Sequence, residues 1–98
     1  MARYILQITY EILPDKRDEF LALAQEMKTH FAGSQKKAYA LYEVKGKGNA
    51  VVEQFVCASR EEFDALEDDL DERGEALVDQ LSGLIVGGSA RYATLVEV

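Results

Sequence analysis

The 98-residue sequence holds one cysteine, one histidine, one proline and no tryptophan. The lone Cys57 excludes an internal disulfide, and Cys57 with the lone His30 leaves no Cys/His cluster for a structural metal. Positive charge is also short, with 11 basic against 18 acidic side chains and a net charge of −7. Such a balance repels a polyanion, so no nucleic-acid partner is expected. Apolar runs extend over only a few residues, and the N-terminus lacks the charged-then-apolar order of a signal peptide. Neither export nor a membrane partner is expected, and the reading places the protein in the cytoplasm. The glycine pairs at Gly46-Lys47-Gly48 and Gly87-Gly88 lack the spacing and strand-to-helix context of phosphate loops, and read as turns.

What remains is an ordinary globular composition, 48% hydrophobic and 30% charged, with no repeat, linker or low-complexity tract. The expectation is one domain over residues 1–98. A chain of this size buries roughly 60–65% of its unfolded surface, so its core is thin and association would help it. The most informative stretch is Tyr4 to Ile12. Tyr4, Leu6, Ile8, Tyr10 and Ile12 alternate with Arg3, Ile5, Gln7, Thr9 and Glu11, which is a strand with one apolar face and one mixed face.

Pro14-Asp15 then predicts a helix start with Asp15 as N-cap and Asp18 favourable to the dipole. Phe20, Leu23, Ala24, Met27 and Phe31 lay one apolar stripe along that helix, which Gly33 closes. Ala38 to Lys45 and Asn49 to Cys57 read as a hairpin around Gly46-Lys47-Gly48. In the second arm Val51, Val52, Phe55 and Val56 put apolar groups on both faces, as on an inner strand. Ser59 and Glu62 form a capping box for a helix over 60–73, with Phe63, Leu66 and Leu70 as its stripe and Gly74 as the point of weakening. Leu77, Leu81 and Leu84 extend the stripe to about residue 84, and Ala90 to Val98 is the last strand. The βαββαβ order predicts a ferredoxin-like α+β fold, a four-stranded antiparallel sheet with both helices on one face. Ile5, one side of the Val51 to Val56 run and Leu95 would remain on the open face, so two copies are expected to pack sheet to sheet as a homodimer.

Pro14-Asp15-Lys16-Arg17-Asp18-Glu19-Phe20, Tyr42-Glu43-Val44, Ser59-Arg60-Glu61-Glu62-Phe63 and the segment from Leu81 to Val98 together give the chain a resemblance to the dimeric α+β barrel superfamily. Within it the chain looks most like the antibiotic biosynthesis monooxygenase-like family, over nearly its whole length. The resemblance implies a homodimer holding a small organic molecule or heme between each sheet and its helices, with no cofactor in many members. For this chain no cofactor is expected. Heme-degrading members use an asparagine in the first strand, where Gln7 and Ile8 stand, and a tryptophan near the end of the third, where Phe55 or Cys57 falls. Where relatives often place histidine in the second helix, this chain has Leu66 and Asp71. These departures disfavour heme degradation.

The candidate catalytic residue is His30, on the edge of the first helix's stripe. As a functional group it would relay protons near neutral pH, and as a border residue it would simply suit a helix C-terminus. Tyr4 and Tyr10 share the apolar face by parity, and they read either as strand packing or as hydroxyls aimed at a phenolic or quinoid ligand. The face of Tyr39 and Tyr42 stays open. The expected ligand pocket lies between sheet and helices, lined by Tyr4, Tyr10, Phe20, Met27, Tyr42 and His30. Cys57 reads as a small buried hydrophobe and the acidic series from Glu61 to Glu75 as a solvated face, so no metal site is expected. Two functions fit: a cofactor-independent enzyme acting on an aromatic or carbonyl metabolite, or a non-catalytic ligand-binding or regulatory dimer module of the same fold.

Overall fold

The alternating stretch forms strand β1 (Tyr4–Glu11) in a computed structural model that describes residues 2–98. Strands β2 (Ala38–Glu43), β3 (Ala50–Cys57) and β4 (Arg91–Val96) join it in one antiparallel sheet of order β2-β3-β1-β4. This is the expected ferredoxin-like arrangement, and the two-faced strand β3 is indeed an inner one. Register assigns the faces: Tyr10 opposes Val51, Ile8 opposes Glu53 and Leu6 opposes Phe55. That side carries the core together with helix α1 (Arg17–Met27) and helix α3 (Glu72–Ser82), through Phe20, Leu23, Met27, Leu77 and Leu81. A short helix α2 (Arg60–Asp64) precedes α3.

On the opposite side stand Ile5, Val52, Val56 and Leu95, with Gln54 Nε2 donating to Gln7 Oε1 at 3.3 Å between them. Tyr42 lies on this face too, by its pairing with Val52, and both Tyr42 and Leu95 are exposed.

Several boundaries differ from the sequence reading, each for a local reason. Pro14–Lys16 form a 3₁₀ turn, so α1 begins at Arg17 and Asp15 makes no side-chain cap; it acts as a first-turn charge instead. Beyond Met27 the helix widens into a π-helical segment, Lys28–Ser34, where the Gln35 N–H donates to the His30 carbonyl at 2.9 Å. The capping box at Ser59 forms, with the Glu62 N–H donating to Ser59 Oγ at 3.2 Å. Its return bond reaches one residue further back, from the Ala58 N–H to the Glu62 carboxylate at 2.7 Å.

The helix expected over 60–73 is not continuous. It stops at Asp64, and a run of turns follows before Asp71 caps α3 by accepting from the Gly74 N–H at 2.8 Å. Gly74, expected to weaken the helix, lies buried in the first turn of α3. A Cβ there would stand 2.7 Å from Leu70 Cδ1 and 3.3 Å from Phe31 Cε1. Strand β1 ends at Glu11 because Ile12 turns to bridge Ile85, and β2 ends at Glu43, where the Val44 N–H and Ala50 carbonyl begin the hairpin turn at 3.0 Å. Among the described residues no helix is long and apolar enough to cross a membrane.

Candidate functional site

The short α2 and the turns after it cover the Tyr4 end of the sheet incompletely, and a cavity of about 550 Å³ opens between sheet and helices there. Its floor is Leu6 and Ile8 of β1 with Glu53 and Phe55 of β3. Phe63 of α2 and Leu66 and Leu70 of the following turns face them, and Phe31 enters from the π-helical segment. A π-type widening shifts every later side chain around the helix axis and is frequent at functional sites. Here it accompanies Phe31 packing against Tyr39 and Phe55, at ring-centroid distances of 5.2 and 5.4 Å, while His30 turns to Asp71.

The turns that bound the cavity are tied down by polar contacts from the start of β2. Lys37 Nζ reaches Asp69 Oδ2 at 2.5 Å, and Gln35 Nε2 donates to the Asp69 carbonyl at 3.0 Å. With Asp64 and Glu67, Gln35 and Lys37 also make up the polar part of the lining. Tyr92 of edge strand β4 lines one side and is 65% exposed, so the cavity is open to solvent there.

Glu53 is the polar group of the floor. It is 4% exposed, at the centre of the sheet, and Oε1 accepts a 2.6 Å hydrogen bond from the Tyr39 hydroxyl. That hydroxyl also lies 3.9 Å from Met27 Sδ. The Tyr10 hydroxyl is near enough to influence the same carboxyl, yet it does not complete a hydrogen bond. Tyr10 Oη and Glu53 Oε2 are buried side-chain polar atoms without a partner among the described residues. Burial pushes the Glu53 carboxyl above the usual carboxylate range, against the opposing pull of the two phenols. Burial, reinforced by the Glu53 charge, pushes both Tyr10 and Tyr39 well above the usual phenol range. The phenols therefore keep their protons at any ordinary pH, and Glu53 is the group of the trio that can change charge.

The expected site residues are placed as follows. Tyr10, Phe20 and Met27 are fully packed in the core, with the Tyr10 and Phe20 rings 6.0 Å apart, and none lines the cavity. Tyr10 and Met27 are linked to it only through Glu53 and Tyr39. Tyr4 is on the helix side as parity predicts and touches the cavity at second hand, its ring 5.9 Å from that of Phe63. Tyr42 is on the open sheet face, away from the cavity. His30 is outside the lining, its side chain 12% exposed and Nε2 2.8 Å from Asp71 Oδ1. Asp71 is held below the usual carboxylate range first by the Gly74 N–H and then by His30. His30 and Asp71 thus join the π-helical segment to the start of α3. Sequence reasoning missed Glu53, and the available signal was its parity with Val51, Phe55 and Cys57, the buried side of an inner strand. Among the described residues no three His, Cys, Asp or Glu side chains gather as a metal site would require.

No protein-family model matches the sequence, and no curated protein matches it significantly. Solved structures do match. A Chloroflexus aurantiacus protein assigned to the antibiotic biosynthesis monooxygenases is 19% identical, with 98% of this chain and 93% of that one covered and a TM-score of 0.69. A mutant of SnoaB, a cofactor-independent oxygenase from Streptomyces nogalater, is 13% identical over 95% of this chain and 90% of its own, with a TM-score of 0.73. A NIPSNAP family protein from Agrobacterium tumefaciens is 22% identical over 95% and 90%, with a TM-score of 0.74. At these identities the likeness is one of fold: the chain shares its α+β fold, a four-stranded antiparallel sheet with helices on one face, with monooxygenase-like, oxygenase and NIPSNAP proteins.

Proposed function

We propose that the protein binds a small, largely apolar organic molecule, an aromatic or carbonyl metabolite, in the cavity between its sheet and helices. The observation that carries this is the cavity itself: about 550 Å³, walled by Leu6, Phe31, Phe55, Phe63 and Leu66, with one buried carboxyl. Such a size and such walls suit a compact organic ligand held by apolar contact and oriented by few polar groups. The fold shared with a cofactor-independent oxygenase supports chemistry on that ligand without a bound cofactor. One observation favours the non-catalytic reading instead. Tyr10 and Tyr39 hold their protons too tightly to serve as acids, which leaves Glu53 without a partner in proton transfer.

A homodimer is part of the proposal. Ile5, Val52, Val56 and Leu95 form an apolar strip on a sheet face without a helical layer, and a second copy offers a matching strip. Light scattering at micromolar concentration should return about twice the 10.9 kDa chain mass.

The test of function is an oxygen-consumption screen over hydroxylated polycyclic aromatics, run alongside native mass spectrometry and backbone-amide NMR. A binding molecule should shift amides of Leu6, Phe55 and Phe63, and oxygen uptake would mark it as a substrate. If every aromatic that binds shifts only the open sheet face, the cavity is not the site.

A further inference from the structure

Strands β1, β2 and β4 place Tyr10, Tyr39 and Tyr92 on the helix-facing side of the sheet, by their pairing with Val51, Phe55 and Ile8. Tyr10 and Tyr39 are 5% and 7% exposed, whereas Tyr92 is 65% exposed. The difference is cover, because the helix layer stops short of β4. Thr94 and Val96, on the same face of that strand, are exposed as well, and Val78, the residue by which α3 meets the cavity, is itself 43% exposed. Single exposed apolar side chains are ordinary. Here two of them edge one cavity and carry its apolar wall from Leu6 and Ile8 out to water. We infer that Tyr92 grips the ligand at the cavity mouth, and that the ligand is an aromatic whose hydrophilic, non-anionic substituent leaves the cavity past Tyr92 and Val78. This rests on the cavity being the binding site.

The inside and the mouth ask for different chemistry. Against Leu6, Phe31, Phe55 and Phe63 a hydroxylated group would lose its water without recovering the hydrogen bonds, so the ring system belongs there. At Tyr92 the same group stays hydrated. A tyrosine suits that boundary, since its ring packs on the ligand while its hydroxyl bonds to a polar substituent or to water.

Charge at the rim decides what the substituent cannot be. Asp64 and Glu67 are exposed carboxylates of the lining. Arg60 offsets Asp64 in part at 3.7 Å, and among the described residues Glu67 makes no ion pair. Lys37, the basic residue of the lining, is taken up by Asp69 at 2.5 Å. On a chain of net charge −7 an anionic substituent therefore meets repulsion on approach and again at the rim, whereas hydroxyl groups find carboxylate acceptors there. The proposed homodimer leaves this mouth free, because its strip of Ile5, Val52, Val56 and Leu95 lies on the other side of the sheet.

The test compares three probes that share one ring system, 2-naphthol, 2-naphthyl glucoside and 2-naphthyl glucuronide, by titration calorimetry with amide NMR to locate them. Both 2-naphthol and the glucoside should shift Leu6, Phe55 and Phe63, and the glucoside should move Val78 and Tyr92 further. Its Kd should stay within roughly threefold of that of 2-naphthol, since the sugar keeps its water at an open mouth. The glucuronide, alike in size but anionic, should bind several-fold more weakly at low ionic strength, and added salt should close that gap. Y92A should weaken the glucoside by roughly three- to tenfold, the range of one aromatic contact, and Y92F should keep most of the affinity. The three wild-type titrations are read without any variant, so a folding defect in Y92A does not blunt the test. If 2-naphthol binds in the cavity and the glucoside is excluded, the mouth is closed and the inference is overturned while the cavity reading stands. Equal binding of glucoside and glucuronide at low salt, or a glucoside affinity untouched by Y92A, overturns it likewise. If no probe moves the cavity amides, the cavity reading and this inference fall together.

Discussion

The two ends of the helix-facing side of the sheet are built from the same strands and the same alternation, yet one is solid and the other hollow. At the Tyr10–Val51 end, α1 and α3 lay Phe20, Met27, Leu77 and Leu81 against the strands, and Ile12, Leu84 and Ile85 close the bottom. The Leu13 N–H donates to the Leu84 carbonyl at 2.9 Å and fastens that closure. At the Leu6–Phe55 end the cover is α2, five residues long, and a string of turns. Less than two turns of helix cannot carry a continuous apolar stripe. The consequence is a division of labour: one end supplies stability and the other supplies space, with Glu53 and Tyr39 at the boundary.

The largest expected effect comes from Leu77, which is wholly buried in the solid end. Leu77→Ala should lower unfolding free energy by about 2–5 kcal/mol, the range for a core leucine whose site cannot collapse. Leu66→Ala, on the wall of the existing cavity, removes a side chain that already has empty space beside it and should cost less than about 1 kcal/mol. Urea denaturation of both variants measures the contrast, and equal losses would erase the distinction between the two ends.

At the boundary the two phenols should behave differently although both approach one carboxyl. Tyr39→Phe removes the 2.6 Å hydrogen bond to Glu53 Oε1, the one its carboxyl accepts among the described residues, a change costing about 1–3 kcal/mol. Tyr10→Phe deletes a hydroxyl that has no hydrogen-bond partner among the described residues, and should be neutral or slightly stabilising. Thermal unfolding of the pair checks this, and a large loss in Tyr10→Phe would mean that its hydroxyl is bonded in solution.

Stability should also depend on pH through Glu53. Its folded pKa is raised, so between the unfolded and folded values the unfolded chain binds fewer protons. Stability therefore falls as pH rises across that window and levels off above it. Each pH unit inside the window lowers wild-type stability by up to about 1.4 kcal/mol. Glu53→Gln has no such dependence, so its stability relative to wild type should climb as pH rises above the ordinary carboxylate range. Parallel curves for the two proteins above that range would show that Glu53 is ionised in the folded state.

How much of this was legible in the sequence follows from what periodicity can register. Alternation in Tyr4 to Ile12 specifies which side each residue faces, and Ile5 and Leu95 stand on the open face as parity required. Glu53 was hidden because Val51, Val52, Phe55 and Val56 made β3 look apolar on both sides, and a carboxylate within it read as surface. What keeps that carboxylate inside is Tyr39, whose face depended on a β2–β3 register that alternation within one strand does not determine. The break after Asp64 was hidden for another reason. Leu66, Leu70, Leu77 and Leu81 keep helix-like spacing across the turns, so the stripe stays in phase through a segment that is not helical. The local cue was Asp71, a capping residue three positions before a buried glycine. The cavity is the difference between the helix length available and the sheet length to be covered, and a hydrophobic pattern alone does not report it.

The smallest expected effect on stability is also the sharpest probe of the hollow end. Gly74 sits in α3 where a Cβ would approach Leu70 Cδ1 to 2.7 Å and Phe31 Cε1 to 3.3 Å, and both of those side chains line the cavity. In a solid core that overlap would be costly, because neighbours at native packing density have nowhere to go. Here Leu70 can swing its terminal methyl into empty volume. Alanine also gains roughly 0.5–1 kcal/mol over glycine inside a helix. The two contributions oppose each other, so Gly74→Ala should shift unfolding free energy by less than about 1 kcal/mol in either direction. Its consequence should appear in binding: with Leu70 displaced inward the cavity shrinks, and the affinity of any aromatic that binds there in the wild type should fall several-fold at nearly unchanged stability. Urea denaturation and calorimetric titration of the same variant measure the two effects together. A loss of several kcal/mol would mean that Leu70 has no room to move and that this end is as firmly packed as the other.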